Sequence, residues 1–267
     1  PYECTEQTLN RFLSTAIVSS LFDGYPAVAK MAQKMAKRTT RFEVWNTTDA
    51  NRKIALEETP WLVQAQGGQG EDLLNVIDPR VARAQQASAL KALRKGQLPD
   101  GSFSWFPGGP SSPFMTLYLL HGFAKAAEFG IERPEDLVRR AWVYMKKHLD
   151  GELKRCMEKE RCWWTVTFLN YVASMYPDDW TQALLSKGDR EELLDYSFEH
   201  WKRHSFSMKA YLAQTLNRMG RTDDAKLVWS SVMDAAKQTE KQGTFWAPED
   251  RSWLWYNDSI EGHARAL

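Results

Sequence analysis

Apolar residues recur at helical spacing along almost the whole chain, and that periodicity restricts the fold to packed helices. Residues 8–22 place Leu9, Phe12, Leu13, Ala16, Ile17 and Leu21 on one face, the i, i+3, i+4 pattern of an amphipathic helix. Asp23-Gly24 then breaks it. The same pattern predicts helices over residues 26–37, 79–95, 113–129, 134–149, 162–175, 190–204, 207–219 and 223–241. Several open with Pro in the first turn, or with Asp or Ser just before it. Gly96, Gly130 and Gly220 follow helix ends, where a C-terminal cap is expected. Residues 39–78 are less regular. With Gly67-Gly68-Gln69-Gly70 among them, they read as a long connection with short helical pieces. Strand signals are weak elsewhere.

Two stretches echo each other. Gly101-Ser-Phe-Ser-Trp-Phe-Pro precedes the helix at Pro113, and Gly243-Thr-Phe-Trp-Ala-Pro precedes an expected helix near Ser259. Helix pairs joined by such turns recur about every 45 residues, a spacing typical of stacked helix hairpins. Neighbouring pairs bury each other's apolar faces, so the expected architecture is all-α. An α/α toroid and an open solenoid are both compatible with it. The chain has 267 residues and 12 Trp, enough for one large domain with a heavily packed core. It opens at Pro1 without Met, and the apolar pattern of residues 259–267 has only begun when the chain ends. The expectation is a single domain over Pro1–Leu267, a piece of a longer protein with at least one further helix beyond Leu267.

The formal net charge is +1, with Lys+Arg 35 against Asp+Glu 34. That balance gives no electrostatic reason to expect nucleic acid or an anionic membrane as a partner. No apolar run approaches the length of a membrane span. Three cysteines are present, Cys4, Cys156 and Cys162. Cys156 and Cys162 are close enough in sequence for a small disulfide loop, which would imply an oxidising compartment and leave Cys4 unpaired. Three unrelated free thiols are the alternative. No His or fourth Cys falls at zinc-finger spacing, so neither a metal nor another cofactor is expected.

Cys4-Thr5-Glu6-Gln7 is the run with the most specific chemistry. A Cys-x-Glu-Gln match arises by accident in roughly one chain of this size in a hundred, but this one stands directly before a strong amphipathic helix. Helix N-terminal amides favour a thiolate there. Cys4 and Gln7 are three apart and share a face of the turn. The sulfur can therefore attack the Gln7 side-chain carbonyl, expel ammonia and leave a cyclic thioester. A partner's amine can later attack that acyl carbon and free the Cys4 thiol. Glu6 can polarise the ring or simply face solvent.

Pro1-Tyr2-Glu3-Cys4-Thr5-Glu6-Gln7-Thr8 resembles the Pro-Tyr-Gly-Cys-x-Glu-Gln thioester motif of bacterial alpha-2-macroglobulins, relatives of the complement thioester proteins. Glu3 stands where Gly is usual. Asp100-Gly-Ser-Phe-Ser-Trp-Phe-Pro-Gly-Gly with Met115-Thr-Leu-Tyr-Leu-Leu-His-Gly resembles a second block of that family's thioester domain, and Trp253-Leu-Trp-Tyr-Asn-Asp-Ser-Ile-Glu a later one. The resemblance implies an α/α toroid of the terpenoid cyclase-like kind. It also implies a single-use protease trap in the periplasm or cell envelope, not a turnover enzyme. Covalently captured proteases and the other domains of the parent chain would be the partners, with no membrane insertion by this segment. Some complement relatives carry a His that redirects the thioester toward hydroxyls. The corresponding position falls near Trp163 or Trp164, and the nearest His in sequence is His148. Amines are therefore the expected acceptors.

Two rival readings come from other classes. An α/α-toroid carbohydrate-active enzyme could draw paired carboxylates from Glu249, Asp250, Asp258 and Glu261, with Trp246, Trp253 and Trp255 stacking on sugar rings. A helical-repeat scaffold would bind reversibly with no chemistry. His121, His148, His200, His204 and His263 read as surface or packed histidines, and Arg139, Arg140, Lys146 and Lys147 as a solvated helix face.

Overall fold

The computed structural model describes residues 4–36, 79–181, 185–240 and 243–246. They are predominantly helical: α1 (Thr5–Gly24), α2 (Pro26–Ala36), α3 (Pro79–Gly96), α4 (Pro113–Glu128), α5 (Glu135–His148), α6 (Lys154–Met157), α7 (Trp163–Ser174), α8 (Asp178–Thr181), α9 (Lys187–Glu199), α10 (Phe206–Arg218) and α11 (Thr222–Asp234). A π-turn over Leu149–Leu153 joins α5 to α6, with the Lys154 amide reaching back five residues to the Leu149 carbonyl. The irregular connection expected over residues 39–78 lies outside the described residues, as do Tyr2 and the final apolar pattern.

The chain divides into two compact units. The units interleave in sequence, so no single cut separates them. One combines α1–α3 with Ser104–Pro110 and Lys125–Pro134. Here α1 buries Leu9, Phe12, Ala16, Ser19 and Phe22, successive steps of three and four residues that form one face, with Thr8 buried next to Leu9. That face packs along α3, whose Ala82, Ala89 and Leu93 are buried. The Ser20 hydroxyl donates to the Phe129 carbonyl at 2.6 Å, tying α1 to the turn after α4.

The other unit combines Leu98–Phe103 and Ser111–Ala124 with the chain from Glu135 onward. Its centre is α7, buried along Val166 to Ala173 and packed against α9 and α10. Tyr171 and Tyr211 stack with centroids 4.0 Å apart. Trp142 meets Tyr176 edge-on at 5.3 Å, and the Tyr176 hydroxyl donates to the Leu120 carbonyl at 2.6 Å. Trp163 and Trp164 are half-buried, with Trp164 against Phe114 at 5.8 Å. Arg139 and Arg140 are exposed, yet both are engaged. Arg139 pairs with Glu135 at 2.6 Å, and Arg140 donates to the Leu98 carbonyl at 2.8 Å.

Three expectations are corrected. The helix expected over residues 223–241 stops at Asp234, and Lys237–Thr239 pairs antiparallel with Gly243–Phe245. Trp246 explains the stop. Its indole N–H donates to the Val232 carbonyl at 2.8 Å, satisfying one of the acceptors that a helix end leaves open, while its ring stacks on Phe206. Gly96 is the last residue of α3 and lacks the positive φ that Gly130 and Gly220 adopt as end caps, at 74° and 80°. The helix expected from residue 190 instead begins at Lys187, because Ser186 and Asp189 form a capping box ahead of it.

Candidate functional site

Cys4 is the N-cap of α1. Its extended backbone, φ −76° and ψ 163°, turns the chain into the helix. The Gln7 backbone N–H donates to Cys4 Sγ at 3.3 Å, and the Cys4 N–H donates to Gln7 Oε1 at 3.3 Å. This is a capping box with a thiol in the place usually held by a hydroxyl. Ser186 and Ser205 hold the equivalent position at α9 and α10. Sulfur is a weaker acceptor than a hydroxyl oxygen, so capping alone does not favour Cys at residue 4. The box places one amide N–H on the Cys4 sulfur and another on Gln7 Oε1, the oxygen on which charge would develop if a thiol attacked the Gln7 side-chain carbonyl.

Cys4 is a free, half-buried thiol, Glu6 is half-buried and Gln7 is exposed. The Thr8 amide and hydroxyl both donate to the Cys4 carbonyl, at 3.1 and 3.0 Å. The Thr5 amide, which lacks a helical partner at this first position, donates to the Trp105 carbonyl at 2.9 Å. The aromatic block around Trp105 is thereby joined to the Cys4 turn within one unit. Trp105 and Phe106 are 40% and 58% exposed, large apolar side chains on the segment that this bond ties to the Cys4 turn.

The start of that block is built in the other unit. Asp100 Oδ1 accepts from the Ser102 amide at 3.0 Å and its hydroxyl at 2.6 Å. Gly101 has φ 90°, and a Cβ there would lie 2.2 Å from the Arg140 carbonyl oxygen. Phe103 is fully buried, its amide donates to Thr116 Oγ1 at 2.9 Å, and its carbonyl accepts from Ser112 at 2.9 Å.

Near Trp163 the spatial picture differs from the linear one. His148 stacks on Tyr144, whereas His204 packs on Trp163 at 5.3 Å. His204 Nε2 lies 2.8 Å from Thr167 Oγ1, and buried Nδ1 has no partner among the described residues. Burial, with Lys209 and His200 adding like charge, pushes its pKa down to about 4. Sequence spacing could not reveal this neighbour, because the two residues belong to different elements.

Cys156 and Cys162 stand as free thiols and not as the expected disulfide. The Arg161 amide donates to the Cys156 carbonyl at 3.3 Å, so the chain between the two cysteines folds back on itself. Trp246 is 6% exposed and held by Phe206 and Val232, so it offers no platform for a sugar ring. Glu249, Asp250, Asp258, Glu261, Trp253, Trp255 and His263 lie outside the described residues. Among the described residues, no group of three or more His, Cys, Asp or Glu side chains could hold a metal ion, and no single helix is long and apolar enough to cross a membrane. No protein-family model matches the chain, and no curated protein is significantly similar to it.

Proposed function

We propose that this chain is the covalent-capture domain of an alpha-2-macroglobulin-like protease inhibitor of the bacterial envelope, folded as an α/α toroid of helix hairpins. The observation that carries the reading is the reciprocal pairing of Cys4 and Gln7 at the start of α1. In ring formation, the Cys4 sulfur attacks the Gln7 side-chain carbon. The C–N bond breaks, and ammonia departs with the thiol proton. In capture, the amine of a protease lysine attacks the same carbon. The C–S bond breaks, the thiolate takes up a proton, and an amide joins the two proteins. The Cys4 N–H stabilises the oxyanion in both steps. Each molecule reacts once, so the domain is a reagent and not a catalyst with turnover.

Intact mass of the whole protein, before and after methylamine, tests the reading. The expected starting mass is lower than the sequence mass by one ammonia. Methylamine then adds one equivalent at Gln7 and releases one thiol at Cys4. Incorporation that persists in Cys4→Ser would overturn the assignment.

A further inference from the structure

We propose that Cys156 and Cys162 form a dithiol–disulfide exchange site that low-molecular-weight disulfides, of which oxidised glutathione is the type, convert into an intramolecular bridge. The backbone brings the pair together. Cys156 lies in the last turn of α6, and residues 157–161 fold straight back. Lys159 and Arg161 donate to the Cys156 carbonyl at 3.2 and 3.3 Å, Glu160 donates to the Met157 carbonyl at 2.8 Å, and Glu160 takes φ 52°. That reversal delivers Cys162 to the N-cap of α7, one residue beyond the Arg161 amide that meets the Cys156 carbonyl. Unlike Cys4, Cys162 makes no side-chain cap. Its sulfur instead faces the Leu153 carbonyl at 3.7 Å, with the Tyr196 hydroxyl adjoining. The start of α7 therefore makes no capping use of that sulfur.

The two thiols differ in access, and this orders the exchange. Cys156 is half-buried, whereas Cys162 is 7% exposed. Burial and the neighbouring Cys156 push the Cys162 thiol up to about 12, so it is seldom a thiolate. Cys156 attacks first. Its sulfur bonds to one glutathione sulfur, and the other leaves as a thiolate. Cys162 then gives up its proton and attacks the Cys156 sulfur, expelling the second glutathione. Two protein thiols are oxidised and one disulfide is reduced to two thiols. The bridge fixes the end of α6 to the start of α7.

The test incubates the full chain with oxidised glutathione and maps peptides without reduction. The expected product links Cys156 to Cys162, lowers the mass by two hydrogens and leaves Cys4 outside the bridge. In Cys162→Ser a stable mixed disulfide should build up on Cys156, at least tenfold above that on Cys162 in Cys156→Ser. A wild-type product that stops at the mixed disulfide, a bridge from Cys4 to either residue, or equal labelling of the two variants would overturn the proposal. The wild-type map requires no variant to fold.

Discussion

The Thr5 amide donates to the Trp105 carbonyl across 2.9 Å, joining two segments a hundred residues apart in sequence at the first turn of α1. The bond can be removed almost alone. Thr5 occupies the first helical position, where Pro is tolerated because the amide has no helical acceptor. Pro also requires an extended preceding residue, and Cys4 is already extended. Thr5→Pro should therefore retain α1 in circular dichroism and lower stability by about 1 kcal/mol in urea. On the thioester reading, it should also hasten spontaneous loss of the ring in the whole protein. Unchanged stability and ring lifetime would show that this bond does not anchor the turn.

Cap and nucleophile can be separated at Cys4. Serine supplies the hydroxyl found at the caps of α9 and α10 and should hold or slightly raise stability. Alanine removes the acceptor and should cost about 1 kcal/mol. Both should abolish methylamine incorporation. Denaturation curves alongside mass spectrometry distinguish the effects: a purely structural Cys4 would leave no amine uptake to lose in the wild type.

Legibility in the sequence followed the range of the interaction. The pairing of Cys4 with Gln7 is local, and spacing alone places both in one turn. Helix cores were equally plain, since Leu9, Phe12 and Ala16 obey a short period. What failed depended on distant partners. The end of α11 at Asp234 requires an indole twelve residues further on. The proximity of His204 to Trp163 joins two elements that the sequence treats separately. Gly101 opens the aromatic stretch before Pro113 in the sequence, but the Arg140 carbonyl that crowds it is visible only in three dimensions. The oxidation state of Cys156 and Cys162 depends on the surrounding redox poise as well as on their spacing.

His204 predicts how stability responds to acid. Its folded pKa, about 4, lies below the value of about 6.5 for an exposed imidazole. Between those values the unfolded chain binds the extra proton, so stability rises with pH. The contribution is complete above pH 6.5 and is lost as pH falls toward 4, on the order of 3 kcal/mol over the window. Urea midpoints measured across it should decline in the wild type. His204→Gln, which cannot titrate, should be less stable at neutral pH and show a flatter profile. Parallel profiles would place the acid sensitivity elsewhere.

Gly101 sets the start of the aromatic block, and its replacement should be disproportionately costly for the loss of one hydrogen. Alanine there meets two penalties. A φ of 90° is strained for any side chain, and the new methyl would sit 2.2 Å from the Arg140 carbonyl oxygen, a main-chain atom in α5 that cannot rotate away. Either the turn or the helix must shift, and the Arg140 bond to the Leu98 carbonyl shifts with it. Gly101→Ala should lower stability by more than about 1 kcal/mol. Gly130→Ala is the control, because its φ of 74° carries the same kind of strain with nothing within 4 Å of the added carbon. Chemical denaturation of the pair separates the terms: a larger loss at Gly101 measures the collision with Arg140, and equal losses would reduce the effect to backbone conformation.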